Sequence, residues 1–429
     1  MVLPTMAMWA KMKGIDVLTT GDWTHPLWFR EIGGLLEEAG EGVFKLKDQD
    51  SPLFLLTVEV SSIYNQGGRL RRIHNLIFAP SFATVEKINK ELARRGVNLM
   101  SDGRPIMGLS SRDLVALVLG VDEKAMIIPC HAWTPWFSLY GANSGFDSID
   151  ECFGEYSKYI YGIETGLSSD PAMNWKIKEL GNRSILSFSD AHSPAKMGRE
   201  ATVFDLPELT YENIRKAIMR PYEIATSPTA PRNDNMVKYT IEFYPEEGKY
   251  HYTGHRNCKV VQTPEETAKN GTLCPVCKRT LTVGVEHRVQ DLATESGVSE
   301  QTADEHGASW MKDSSDKRPP YVSLVPLLEI IAEALSSTTA SEKVKDLYMQ
   351  LTKSLGTELT ILLKTPIPEI GKRVGERVAD GVKKVRERNI IVVPGYDGVY
   401  GVVKIWGGEQ KTAAVEETKK EADTQLGLF

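Results

Sequence analysis

The stretch AMIIPCHAWTPWFSLYG, residues 125–141, runs from an apolar segment, Ala125–Cys130, straight into His131 and an aromatic-rich loop. A short apolar run bounded by turn-forming residues reads as a buried strand. Working outward, similar runs occur at Ile15–Thr19, Phe54–Val60, Ile73–Phe78, Tyr159–Glu164 and Ser184–Phe188. Between them lie segments of helical periodicity such as Thr84–Arg95 and Ser111–Leu119. Strands alternating with helices predict parallel β/α units, and so an α/β barrel or doubly wound sheet over residues 1–225.

Near residues 221–231 the sequence IATSPTAPRNDN breaks this periodicity and predicts a boundary. A small module follows over 238–290. Residues 293–320 are polar and aperiodic and predict a long surface loop or linker. A mostly helical domain covers 321–407, closed by a hairpin at IIVVPGYDGVYGVVKIW. Residues 408–429 form a polar, flexible tail that ends in apolar residues.

The 429 residues are 41% hydrophobic and 25% charged, which excludes wholesale disorder. A net charge of −6, from 51 basic and 57 acidic residues, excludes a globally basic nucleic-acid binder but not a local basic face. No apolar run reaches the length of a membrane span. The opening MVLPTMAMWAKMKG places its basic residues after the apolar stretch, the reverse of a secretion signal. Five cysteines, three of them in metal-like spacing, fit a reducing cytoplasm better than a disulfide framework.

Carboxylates and imidazoles recur at the predicted strand ends. Asp22 and His25 follow the first run, Glu59 ends the second, His74 opens the third and His131 closes the fourth. Asp190 and His192 follow the last. Parallel β/α folds gather their strand C-termini on one face, where sites assemble. His with Asp and Glu suits zinc, manganese or iron. Ions bridged by carboxylates can clamp a phosphate and activate water. A lone histidine of this kind is more often structural, so the weight rests on the set.

These residues carry a resemblance. TTGDWTHP (19–26), TVEV (57–60), RRIHNLIFAP (71–80), IIPCHAWTPWFSLYG (127–141) and SFSDAHSP (187–194), in this order, resemble the polymerase and histidinol phosphatase (PHP) superfamily. Within it the chain resembles the endonuclease Q family, through GKYHYTGHRNC (248–258), LCPVCKRTLTVG (273–284) and VPGYDGVYGVVKIW (393–406) as well. The resemblance implies a distorted (β/α)7 barrel with a multinuclear site of Zn, Mn or Mg. It implies His25, Glu59, His74, His131, Asp190 and His192 as metal ligands, with Glu59, Asp190 and His192 catalytic. It also implies nicking of damaged DNA on the 5′ side of deaminated bases and abasic sites. The superfamily opens with a strand carrying His-x-His; this chain has none, and that strand is expected to be encoded upstream of Met1.

His255-x2-Cys258 and, fifteen residues later, Cys274-x2-Cys277 have the spacing of a closed, structural zinc site. His251 and His287 are alternatives for the histidine ligand. Residues Ile367–Asn389 match a helix-hairpin-helix outline, whose second helix would present Arg373, Arg377, Lys384 and Arg388 on one DNA-facing side. Trp133, Trp136, Phe137 and Tyr140 crowd the loop beside His131; Trp136 is a candidate to support a flipped base. Gln425, Leu426, Leu428 and Phe429 resemble the bacterial sliding-clamp motif.

The reading is a cytoplasmic, metal-dependent DNA repair endonuclease tethered to clamps, with no membrane partner. The competitors are a non-catalytic lesion-binding adaptor and a small-molecule phosphoesterase. No GxxxxGK[ST] loop is present, which argues against ATP-driven work.

Overall fold

The computed structural model describes residues 1–101, 103–226 and 236–407, of which 222–226 as backbone. Gln425, Leu426, Leu428 and Phe429 lie outside the described residues. In chain order the strands are β1 (Val17–Thr19), β2 (Leu36–Gly40), β3 (Val43–Leu46), β4 (Leu53–Gln66), β5 (Arg69–Ala79), β6 (Ile106–Met107) and β7 (Met126–Pro129). There follow β8 (Gly162–Glu164), β9 (Ser184–Leu186), β10 (Ala201–Asp205), β11 (Met236–Glu242), β12 (Thr253–His255) and β13 (Val260–Gln262). The last are β14 (Ser299–Ala303), β15 (Ser309–Asp313), β16 (Tyr321–Ser323), β17 (Ile391–Val393) and β18 (Val402–Lys404).

The expected run of parallel β/α units gives way at its centre to a long hairpin. β4 and β5 pair antiparallel from Leu56↔Ala79 to Gln66↔Arg69. The turn is Gly67–Gly68, at φ 60° and 71°. Two adjacent residues with positive φ form the tight turn that matches strand twist, and glycine takes that conformation without a Cβ clash. The chain therefore reverses on the spot instead of crossing over. β7 adds antiparallel to β5, while β1 and β6 pair parallel with β4.

The first sheet is continued towards β8 by a backbone bond from Ala132 N–H to Glu164 O at 3.0 Å. β8 and β9 pair parallel with each other. Among the described residues these sheets remain open: where a distorted (β/α)7 barrel lacking its first strand was expected, the arrangement is a mixed α/β one that does not close. β4 is nearly all buried, Val58 and Val60 included, because both faces are covered.

A second sheet has the order β10-β11-β16-β15-β14. It corrects the expected linker over 293–320, where β14 and β15 form an antiparallel pair. Their outer residues are half-exposed, so the apolar signal that marks a strand is weak there. The helices Leu327–Ala334, Glu342–Leu355, Glu358–Leu363, Ile367–Val374 and Glu376–Arg386 bury a separate core around Ile330, Tyr348, Ile361 and Val382.

The N-terminal helix Leu3–Lys13 is fastened to this helical core by a buried ion pair. Lys13 Nζ lies 2.7 Å from Glu358 Oε2, which also accepts from the Tyr348 hydroxyl at 2.8 Å. Arg386, 3% exposed, donates to the carbonyls of Leu362, Ile361, Thr365 and His306. Its charge ties the 361–365 stretch to His306 rather than facing solvent. No helix among the described residues is long and apolar enough to cross a membrane.

Candidate metal centre and nucleic-acid face

The β4–β5 register decides what can meet. Ser61 lies opposite His74 and Glu59 opposite Leu76, so Glu59 and His74 are diagonal neighbours on one face of the hairpin. They therefore sit within long strands, not at strand ends as expected. His131 arrives from the end of β7 at φ 33°, a left-handed turn that folds its ring back onto the same face. Gly166 makes room for it, since a Cβ at that position would lie 2.6 Å from His131 Cα.

The three side chains close a triangle. Glu59 Oε1 is 3.0 Å from His74 Nδ1 and 3.2 Å from His131 Nε2, and the two ring nitrogens are 3.1 Å apart. Donors about 2.1 Å from one ion and about 90–110° apart are separated by about 3.0–3.4 Å. The spacing thus fits one divalent ion held by two imidazoles and a carboxylate. Outer contacts support it: His74 Nε2 meets Ser61 Oγ at 3.1 Å and His131 Nδ1 meets Thr134 Oγ1 at 3.3 Å. With those nitrogens protonated, the inward nitrogens keep free lone pairs. Cys130 Sγ also lies within 4.8 Å of the ligating atoms of Glu59 and His131.

Electrostatics favour this polarity at Glu59 and His74 and oppose it at His131. Burial opposes ionisation of Glu59, but hydrogen bonds from His131 and His74 and the Arg104 charge hold its carboxyl well below the usual range. Burial presses His74 down to about 4, only partly offset by Glu59. His131 goes the other way, because Glu59, Glu164 and Asp190 outweigh its burial. Burial lifts Glu164 to about 8, although it accepts the His131 N–H at 2.7 Å.

Asp190 and His192 form their own pair at 3.6 Å on a loop held by Arg199, which donates to Ser189 O and Asp190 O. The Asp190 charge is felt at His131, Glu164 and Arg104, with no hydrogen bond or ion pair to the triangle among the described residues, whereas the His192 side chain is 71% exposed. His25 precedes the helix Pro26–Leu35, and among the described residues no hydrogen bond or ion pair joins it to the triangle. Asp22, His131 and Asp190 all hold positive φ, at 44°, 33° and 40°. Left-handed backbone at non-glycine residues collects where loops are shaped for a site. Arg104 and Glu164 were not among the expected residues. Glu164 does end a predicted strand, which was a usable signal; Arg104 sits in a loop and had none.

The second cluster is local in sequence. His255, Cys258, Cys274 and Cys277 offer ligand atoms within 4.8 Å of one another. Two similar turns build it, each closed by a lysine in left-handed conformation, Lys259 at φ 53° and Lys278 at φ 61°. Cys274 is fully buried, and although burial raises its thiol, the Cys277 N–H, the His255 ring and the Val276 N–H bring it down to about 6. Four protein donors with no open position suit structural zinc. His251 and His287 turn instead to Glu286 and Asp291, at 3.4 and 3.6 Å.

The basic residues are placed differently from expectation. Arg373 belongs to the helix Ile367–Val374, and a break at Gly375, φ 97°, separates it from the helix Glu376–Arg386. The outline therefore turns at Gly375, not at the earlier Ile370–Gly371, and the four cations do not share one helix. Arg373 and Arg377 are exposed, with Arg377 stacked 3.8 Å over the Trp406 ring. Arg388 turns inward to Ser323 Oγ at 3.1 Å and to the Tyr244 ring. Trp136 is half-buried edge-on to Tyr250, while Phe137 lies against His74 with Arg72 over its ring. Trp133 and Tyr140 are buried and stacked.

Residues 326–389 match the family described as the MJ0043 C-terminal domain. Protein MJ0043 of Methanocaldococcus jannaschii is 30% identical over 280 residues, which is 64% of this chain but 31% of that protein. YqxK of Bacillus subtilis is 26% identical over 338 residues, covering 77% of this chain and 74% of that protein. The crystal structure of a lesion-specific endonuclease from Pyrococcus furiosus superposes with a TM-score of 0.76 at 30% identity, covering 97% of this chain and 94% of that one. A structure of endonuclease Q with a 27-mer duplex bearing an abasic lesion at the active site gives 0.77 at 31% identity, covering 95% and 92%.

Proposed function

The chain belongs to the endonuclease Q family, and we propose that it is a metal-dependent DNA repair endonuclease. It nicks the phosphodiester 5′ to uracil, hypoxanthine, xanthine or an abasic site. The observation that carries this reading is the Glu59–His74–His131 triangle, with edges of 3.0–3.2 Å, on a chain of that family. Glu59, His74 and His131 would hold the first divalent ion, Asp190 would extend the site beside it, and His25 and His192 are proposed outer ligands. Bound divalent ions (Mn, Mg or Zn) would supply an activated water and neutralise phosphate charge.

The chain's own residues do the positioning. Ser61 and Thr134 fix the imidazole tautomers, and Glu164 holds the His131 backbone in its turn. Arg72, stacked on Phe137 next to His74, is placed to guide a phosphate towards the triangle. Trp136 supports the displaced nucleotide. The zinc module, the exposed Arg373 and Arg377 and the half-buried Lys384 hold the flanking duplex.

The test is a 5′-labelled duplex with one deoxyuridine, incubated with the protein and Mn²⁺ or Mg²⁺. One product, cut immediately 5′ to the uracil, is expected, with the undamaged duplex intact. Binding of the lesion without a nick would replace the enzyme by an adaptor.

Gln425, Leu426, Leu428 and Phe429 are proposed to dock in a bacterial sliding clamp, each apolar side chain seeking a pocket. Deleting residues 425–429 is expected to abolish clamp binding in surface plasmon resonance while nicking of a short duplex persists. Unchanged clamp affinity would reject the motif.

A further inference from the structure

Arg104 lies in the loop between the helix Phe82–Arg94 and β6, and its guanidinium reaches into the triangle. Nη1 donates to Glu59 Oε1 at 2.8 Å and stands 3.2 Å from His74 Nδ1. These are two of the three atoms that would hold the first ion. A guanidinium stays charged at any working pH. It therefore occupies, as a permanent cation, the edge that a metal ion would share, and two cations on one carboxylate oxygen repel each other.

We infer, resting on the metal reading above, that Arg104 is a resident counter-cation. It neutralises Glu59 while the centre is metal-free and withdraws when Glu59 and His74 take up an ion. The loop is built for such an exchange. Just beyond Arg104, Pro105 O accepts the Ser61 N–H at 3.0 Å, which pins the backbone to β4. Gly103, at φ 71°, gives the other side a turn that only a residue without a Cβ adopts freely. The Arg104 side chain is 27% exposed, so it has a path outward. Metal affinity then contains the cost of parting Arg104 from Glu59. An ordinary structural ion pair would give the opposite result, since its loss would disorder Glu59 and weaken the metal.

The experiment is a Mn²⁺ titration followed by the electron paramagnetic resonance signal of free aqueous Mn²⁺, on wild type, Arg104→Gln, Arg104→Lys and Glu59→Gln. Mn²⁺ is chosen because a Cys3His site disfavours it. Arg104→Gln is expected to bind at least tenfold more tightly than wild type. Arg104→Lys keeps a cation with a looser grip and should fall between them; it carries the test if Arg104→Gln fails to fold. Equal or weaker binding by the variants, with wild type binding normally, would overturn the counter-cation role and leave the metal reading standing. Binding in wild type that survives Glu59→Gln would place the ion elsewhere and overturn both. Absence of binding in every protein would do the same.

Discussion

Glu59→Gln is expected to lower nicking of deoxyuridine DNA on the order of 10³-fold while lesion binding stays within a few-fold of wild type. The substitution keeps the size of the side chain and removes one negative charge. That charge sits where three partners converge, at 3.0 Å from His74, 3.2 Å from His131 and 2.8 Å from Arg104. A metal ion at such a point supplies several kcal/mol of transition-state stabilisation, and about 4 kcal/mol corresponds to three powers of ten in rate. Single-turnover nicking with excess enzyme reads the chemical step directly, and a gel-shift on an abasic duplex reads binding. A rate within tenfold of wild type, with unchanged thermal unfolding, would remove Glu59 from the active centre and the triangle with it.

Legibility from sequence followed the range of the contacts. The zinc cluster could be read because all four residues fall within 23 positions, so spacing alone carries the geometry. Glu59, His74 and His131 could be singled out as candidates, but not how they meet. That depends on the β4–β5 register, set by Gly67–Gly68, and a parallel crossover was expected instead. Arg104 reaches its partners across 45 and 30 positions from a loop without periodicity, so no local pattern marks it. Arg388 shows the converse. Its helical spacing from Lys384 suggested a shared basic face, yet its φ of 54° carries it past the helix end towards Ser323. Periodicity holds only while the helix does.

This difference in range also separates what each site needs in order to form. The triangle is assembled by a large sheet with an extensive buried core, so its ligands are placed before any ion arrives. The His255/Cys258/Cys274/Cys277 module has little of that support. Leu281, after the second turn, is its main buried aliphatic residue, while Leu273 and Val276 are 60% and 67% exposed. Its bonds are mostly local: β12 with β13, the reciprocal Gly254–Thr282 bonds at 3.0 Å, Cys274 N–H to Arg279 O, Leu281 N–H to Thr272 O and the capped helix Pro264–Asn270, with Asp397 reaching in to the Arg256 N–H and the Thr282 hydroxyl.

Removing zinc is therefore expected to unfold residues 253–283 while leaving the sheets and helical core intact. Apparent zinc-binding energies of about 10–16 kcal/mol in small zinc modules are comparable with the roughly 5–15 kcal/mol that stabilises a whole domain. Cys274→Ser, which takes away the fully buried ligand, should release the zinc that this module is expected to hold in the wild type. Limited proteolysis with mass mapping should then show new cuts within 253–283 and none in β4 or β5. The effect should spread one step, because Arg288, following the module, donates to Tyr140 O and Phe146 O in the loop that carries Trp136. Affinity for an abasic duplex should accordingly fall by tenfold or more. A zinc-free chain that resists protease as the wild type does would show that the module folds on its own contacts, and the zinc would then need a role other than structural.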